Sequence, residues 1–523
     1  MLCLRDGNHF NTFRLMNKNL KKILTLLVAV LATTAFAACG DDDDKGAGGG
    51  TPVSALTVRP LALSFPAEGG IQTINAQAPV QASATSSTTW CQLVVGSQTG
   101  DLKTTPIEVV VEPNTTTYSR TAVITVTAGS QTATVTVTQD EGSVAPSGTI
   151  TKDATTIAKE MYPGWNLGNT LEATGDGLAA ETSWQPTKTT QQVIDAVKAA
   201  GFRSVRIPCS WNIHSDGSGV IDAAWMARVK QVVDYCINDG LYVVLNDHWD
   251  GGWIEVEGFS TSTTTFKPLS DAQVAEKANR LADLWTQIAT AFRDYDEHLL
   301  FAGLNEPFQQ YDLFSTHHAE LTPTLAIYNA AFVGAVRATS GNNAQRTLVV
   351  QGPSTDITST CNYLHLGLMP EAAGRLMLEV HYYNPGQFCG TFDATGAKAF
   401  YYWGAGNHAA DHNANYGEES DMRNLFKMLN DHFTSKGYPV IIGEYAAQQR
   451  TISGDQDKHN ASVKAFYQCV NQYGLENGIV PFAWDTNDVA NLKTEGGSST
   501  IIDRSGLKVV GEHALAGIKA AIP

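Results

Sequence analysis

The chain has 523 residues, 43% of them apolar, and a formal net charge of -17. That length exceeds one ordinary domain and supplies apolar surface for two cores, whereas the acidic balance and the lack of a basic cluster exclude a binder of nucleic-acid backbones, which must displace counterions from phosphates. Ten Trp and seventeen Tyr offer flat amphipathic rings of the kind that grip sugar faces, although most aromatics in any protein fill cores.

At the start of the chain, Lys18, Lys21 and Lys22 precede the apolar run from Ile23 to Leu31, and small residues then lead to Cys39. This is the pattern of an export signal, with a run too short to span a bilayer permanently. Phe36-Ala37-Ala38-Cys39 resembles a lipoprotein signal-peptide site, which implies that residues 1–39 are a signal and that Cys39 carries an outer-membrane lipid anchor at the cell surface; plain cleavage near Ala38 is the alternative. Gly40 and Asp41 to Asp44 resemble the acidic tag that sends lipoproteins of the Bacteroidetes to the surface, and Met16 is an alternative start. Cys91, Cys209, Cys236, Cys361, Cys389 and Cys469 follow, with no metal-type Cys-x-x-Cys spacing. Cys361 with Cys389 is a candidate loop pair, but isolated cysteines are more often buried small hydrophobes, so no bridge is expected.

After an acidic, Gly-rich linker over 40–52, residues 53–140 are rich in Thr, Val, Ser and Ala. The period-two runs Ile107/Val109/Val111, Ala122/Ile124/Val126 and Ala133/Val135/Val137 predict strands that each bury one face. Gly129-Ser130 predicts a hairpin between the last two, and the whole is sized for a small immunoglobulin-like β-sandwich. The stretch from Arg120 to Gln139 resembles the BACON domain found ahead of Bacteroidetes carbohydrate enzymes, which implies either sugar binding or a rigid spacer. Trp90 is its single Trp. A second linker is expected over 141–152.

From Asp153 the texture changes to short apolar strands alternating with amphipathic helices, the pattern of parallel βαβ units. Eight strands are predicted, at 163–167, 202–207, 241–246, 299–304, 347–351, 377–383, 439–443 and 479–484. After Asp222 as N-cap, Trp225, Met226, Val229, Val232, Val233, Cys236 and Ile237 form one helical stripe that ends before Gly240. Eight such units over 153–523 predict a (β/α)8 TIM barrel, whose catalytic groups stand at the C-terminal ends of strands. Those ends carry Arg206, His248, Asn305-Glu306, His381 with Tyr383, Glu444 and Trp484. Two glutamates on opposite sides of one barrel mouth are what glycoside hydrolysis needs: one carboxyl protonates the leaving oxygen while the other attacks or stabilises an oxocarbenium-like centre. Arg206 and Tyr383 are expected to keep Glu444 ionised and aimed. Burial and the charge of Glu444 are expected to raise the pKa of Glu306.

The strings Gly164-Trp165-Asn166-Leu167-Gly168-Asn169-Thr170-Leu171-Glu172, Val205-Arg206-Ile207-Pro208, Leu304-Asn305-Glu306-Pro307, His381-Tyr382-Tyr383 and Ile442-Gly443-Glu444-Tyr445 resemble, in order, those of glycoside hydrolase family 5. The resemblance implies that Glu306 is acid/base and Glu444 nucleophile, and that Arg206, His248, Asn305, His381, Tyr383 and Trp484 form the sugar-binding floor. The string through Asn169 is similar to subfamily 4, whose members cut β-1,4-glucans including xyloglucan. Trp249 stands where many relatives place a second His.

In the loop after the third strand, Asp250 and two glycines predict an exposed turn on which Trp249 or Trp253 stacks on a sugar beyond the cleaved bond, as an endo-acting enzyme requires. A mannanase or xylanase is the runner-up, and a non-catalytic glycan-binding lipoprotein the alternative outside enzymes. His408 and His412 have i, i+4 spacing but lack the Glu of a His-Glu-x-x-His motif, so a loop is preferred to a metal site. A monomer acting on polysaccharide, with no cofactor and no metal, is the resulting expectation.

Overall fold

The computed structural model describes residues 55–100, 102–116, 118–142, 148–255, 268–308, 317–371, 373–390 and 398–521. The expected export signal, Cys39 and the acidic linker lie outside these residues. Among the described ones no helix is long and apolar enough to cross a membrane.

The N-terminal unit holds eight strands: β1 (Thr57–Arg59), β2 (Ala62–Phe65), β3 (Gly70–Gln77), β4 (Ser83–Ser86), β5 (Cys91–Val95), β6 (Thr104–Val111), β7 (Arg120–Ala128) and β8 (Gln131–Gln139). They form two four-stranded sheets, ordered β1-β3-β6-β5 and β2-β8-β7-β4. The predicted alternation is what closes them: Ile107, Val109, Ile124, Val126, Val135 and Val137 all point into one shared core and are fully buried, each side chain contributing about 1.5–3 kcal/mol. Gly129, at φ +62, makes the hairpin that joins β7 to β8, a backbone state a side chain would strain. Trp90 is only partly buried, and the Arg120 guanidinium lies 4.3 Å from its ring centroid. One face of the ring is therefore already occupied.

The C-terminal unit is a closed barrel of eight parallel strands, β9 (Gly164–Asn166), β10 (Ser204–Ile207), β11 (Tyr242–Asn246), β12 (Leu299–Ala302), β13 (Leu348–Gln351), β14 (Leu376–Tyr382), β15 (Val440–Tyr445) and β16 (Ile479–Ala483). All eight fall within a residue or two of the predicted runs. The helix Ala223–Asn238 is capped as expected, with the Asp222 side chain accepting the Trp225 N–H at 2.8 Å, and its apolar stripe packs on the outside of the barrel.

Inside the barrel, Val244, Leu300, Val349, Met377, Ile441, Val480 and Phe482 meet the short helix Ala154–Glu160 through Ile157 and Met161. This plug fills the end from which the strands start, so the polar ends of the strands gather at the opposite mouth. Packing around the plug is tight: a Cβ on Gly164 would lie 2.4 Å from the Phe482 ring. The strand ladder also slips between Val380 and His381 of β14 and between Ile442 and Tyr445 of β15. Such irregularities re-aim side chains at barrel rims, and these two bracket His381 and Glu444.

Candidate active site

Arg206 is the hub of the mouth. It is fully buried, donates from Nη1 to Asn166 Oδ1 at 3.0 Å and to Glu444 Oε1 at 2.9 Å, and from Nη2 to Asn305 Oδ1 at 2.6 Å. Its Nε lies 2.8 Å from Glu379 Oε1, at an angle that makes this an ion pair rather than an aligned hydrogen bond. The second oxygen of Glu444 accepts the Tyr383 hydroxyl at 3.0 Å. Arg206 and Tyr383 thus hold Glu444 by separate oxygens, as the sequence reading expected.

Burial pushes the Glu444 carboxyl above its ordinary range, against the downward pull of His381 and Arg206, because enclosure penalises the charged form more than these partners restore. Burial and the neighbouring carboxylates also raise Tyr383 well above the usual phenol range, so it stays a neutral donor. Burial alone would lower His381, yet Glu444, Glu306 and Glu379 together raise it to about 9. His381 Nδ1 sits 2.7 Å from Glu306 Oε1 and 3.7 Å from Glu444 Oε2. Glu306 itself holds φ +33, and Phe308 two residues on holds φ +69. Non-glycine residues occupy such backbone states chiefly where the surroundings enforce them; here the Phe308 N–H is pinned by the buried Glu255 carboxylate at 2.8 Å.

His248 is bonded through its own amide neighbour. Asn246 Oδ1 accepts the Cys209 N–H at 3.1 Å, so Asn246 Nδ2 is the group that faces His248 Nδ1, 3.2 Å away. The imidazole therefore accepts at Nδ1 and carries its proton on Nε2. Burial, Arg206 and His381 hold it well below the usual histidine range, hence neutral. The Trp484 ring lies nearly parallel to it, with centroids 5.9 Å apart and an interplanar angle of 8°. Asn169, at φ +59, is set by Glu172, whose carboxylate accepts the backbone N–H groups of Asn169 and Thr170. It borders a groove of about 450 Å³ shared with the half-exposed Trp184, Thr486 and Ser498.

The loop after β11 departs from the exposed turn expected of it. Asp250 is fully buried, and its carboxylate accepts the backbone N–H groups of Trp211, Asn212 and Ile213; three donors from a remote loop compensate its desolvation. Trp253 packs against the core, whereas Trp249 is 38% exposed. His408 and His412 face different partners: His408 pairs with Glu418 at 2.6 Å, while His412 bonds the Ala399 carbonyl at 2.8 Å and stacks on Tyr401. The cysteines of the described residues are free, Cys361 and Cys389 included.

One oxygen each from Glu306 and Glu444 lie within 4.8 Å of one another, with a His381 nitrogen at equal reach. The sequence profile of cellulases, glycosyl hydrolase family 5, matches residues 171–489. The chain belongs to glycosyl hydrolase family 5. A BACON domain profile matches residues 80–140 ahead of it. Over 493 residues this family 5 enzyme is 33% identical to a xyloglucan-specific endo-β-1,4-glucanase of Bacteroides ovatus, covering 90% of this chain and 93% of that one. Among solved structures it is similar to a family 5 xyloglucan-specific β-1,4-glucanase from a ruminal metagenomic library, in complex with XXLG, at 72% identity and a TM-score of 0.69, over 71% of this chain and 96% of that one. A Bacteroides ovatus family 5 xyloglucanase in complex with a XXXG heptasaccharide matches at 30% identity and a TM-score of 0.62, over 89% and 99%.

Two groups at the heart of this glycoside hydrolase site went unread in the sequence. Asn166 stands inside a longer motif string and Glu379 inside an apolar strand, so neither is singled out by its position. The signal for Glu379 was its isolation: a lone charge in Leu376-Met377-Leu378-Glu379-Val380 has no reason to be there unless it is paired inside.

Proposed function

We propose that the protein is a retaining, endo-acting β-1,4-glucanase with xyloglucan as its main substrate, with Glu444 as nucleophile and Glu306 as acid/base, held at the cell surface by a lipid on Cys39. The observation that carries the chemistry is the approach of a Glu306 oxygen to a Glu444 oxygen within 4.8 Å. Retaining pairs stand roughly 5 to 5.5 Å apart, whereas inverting pairs leave about 6.5–9.5 Å for a water.

In the first step a Glu444 oxygen attacks the anomeric carbon, the bond to the leaving oxygen breaks, and Glu306 gives its proton to that oxygen. In the second, Glu306 takes a proton from water, whose oxygen displaces Glu444 from the same carbon. Two inversions restore the β configuration. Arg206 and Tyr383, one on each oxygen of Glu444, fix the attacking group, and the charged His381 ring stands between the glutamates. Asn169, His248, Asn305 and Trp484 form the floor that orients the sugar, and Trp249 supplies an outer platform. The substrate preference is supported by the relatives that cut xyloglucan, and the anchor by the residues around Cys39.

The test is a screen of purified enzyme on xyloglucan, mixed-linkage glucan, mannan and xylan, with NMR of the fresh product. Fastest cleavage of xyloglucan, an initially β-configured new end and an early fall in viscosity are expected. Faster mannan or xylan cleavage would overturn the substrate, and an initial α anomer the mechanism. For the anchor, Cys39→Ser should release the protein from the membrane fraction; unchanged membrane association would reject the lipid.

A further inference from the structure

Glu379 is fully buried beneath the catalytic floor, in the middle of β14. A charge in that position is tolerated only when its partners are complete. They come from other strands: Gln351 Nε2 of β13 donates to Oε2 at 2.6 Å, and Arg206 Nε of β10 lies 2.8 Å from Oε1. From β15 the chain makes room, since a Cβ on Gly443 would lie 1.9 Å from that same Oε1. The residue before Glu444 therefore has to be glycine while Glu379 occupies this place.

The protonation state of Glu379 follows from the amide of Gln351. Gln351 Oε1 accepts the Leu304 N–H at 3.0 Å, so its nitrogen must face Glu379. Glu379 accepts from an amide on one oxygen and pairs with a guanidinium on the other, which requires the carboxylate. Against the upward push of burial, Arg206, His381 and Gln351 hold it below the usual range. His381 Nε2 lies 3.4 Å from Oε1, and toward an acceptor-only group a ring nitrogen can only donate. The other nitrogen, Nδ1, is the one that meets Glu306.

We propose that Glu379 is a positioning residue for the reaction: it keeps a proton on Nε2 of His381 in every charge state of the ring, so that the one labile ring proton is on Nδ1, in contact with Glu306. The inference rests on the reading of Glu306 as acid/base. When Glu306 gives its proton to the leaving oxygen, Nδ1–H donates to the carboxylate left behind; when Glu306 takes a proton from water, that hydrogen bond relaxes. The ring keeps both protons throughout. Among the described residues, the charged and titratable groups around His381 are Arg206 from β10, His248 after β11, Glu306 after β12, Glu379 from its own strand with Tyr383 just beyond it, and Glu444 from β15.

The experiment is nitrogen NMR of the full chain labelled with [15N]histidine, with His381 assigned by its loss in His381→Gln. In the wild type Nε2 should stay protonated from acid to alkaline pH while only Nδ1 titrates. In Glu379→Gln the amide can donate or accept, so the second tautomer should appear. One of the three carboxylates that raise His381 has also lost its charge, so the alkaline limb of kcat/KM should move about one pH unit lower, with kcat down on the order of tenfold and KM little changed. A neutral ring protonated on Nδ1 in the wild type overturns the proposal, as does a variant with unchanged ring shifts and pH profile. The wild-type tautomer is read without the Glu379 variant, so misfolding of Glu379→Gln leaves the test intact. A wrong assignment of Glu306 would show instead as intact acid catalysis in Glu306→Ala, with the His381 shifts as expected.

Discussion

Tyr383→Phe removes one oxygen atom and, with it, one hydrogen bond to Glu444 Oε2. The ring remains to pack against the core, and Arg206 still holds Oε1 at 2.9 Å. Among the described residues no neighbour replaces the lost donor, because His381 Nδ1 stands 3.7 Å from Oε2, beyond hydrogen-bond range. A hydrogen bond to a charged group contributes about 1.5–3 kcal/mol, so kcat/KM should fall roughly 10- to 150-fold. The pH profile should change as well. The hydroxyl favours the ionised form of Glu444, and attack needs that form. Removing it raises the Glu444 carboxyl further, so the acid limb of kcat/KM moves to higher pH and the loss is larger at acid pH than at neutral. Steady-state rates on xyloglucan and on an activated aryl glycoside across the pH range read both effects. A loss below about twofold at neutral pH with an unmoved acid limb would refute the reasoning that Tyr383 aims and tunes the nucleophile.

The two glutamates are distinguished by rescue. Glu444→Ala should be inactive but form an α-glycosyl azide when azide is supplied, and Glu306→Ala should keep activity on aryl glycosides whose leaving group needs no proton; swapped patterns would reverse the roles. Trp249→Ala should weaken the response to polymer several-fold while sparing a short activated glycoside, since one stacking contact is worth on the order of 1 kcal/mol. Equal losses on both substrates would remove Trp249 from the outer platform.

Most of this site is legible in the sequence because the barrel strands are buried on both faces, and such strands are short apolar runs whose ends are easy to find. Val440-Ile441-Ile442-Gly443 before Glu444 is one example. The residues at the ends then stand out as the polar ones. What escaped the sequence depends on partners far apart along the chain. Asp250 reads as an exposed loop charge because nothing near it shows that the backbone of Trp211, Asn212 and Ile213 will supply its donors. Trp249 and Trp253 are equivalent in sequence, and only packing separates the exposed ring from the one against the core. The upward push on Glu444 has a related origin: Arg206 and Tyr383 can be named as its neighbours from the sequence, but the depth of its enclosure cannot. In the sandwich, the long strands β6, β7 and β8 showed clear alternation, whereas β1, β2 and β4, of three or four residues each, are too short to carry a period.

Retention through two displacements requires that Glu444 form a covalent bond to the sugar. It is tested most directly by treating the full chain with an activated 2-deoxy-2-fluoro glycoside of a xyloglucan oligosaccharide, whose fluorine slows release from the enzyme, and mapping the modified peptide by mass spectrometry. One added glycosyl unit is expected on the peptide that contains Glu444 and none on the peptide that contains Glu306. A label on Glu306, or turnover of the reagent to an inverted product with no label anywhere, would contradict it.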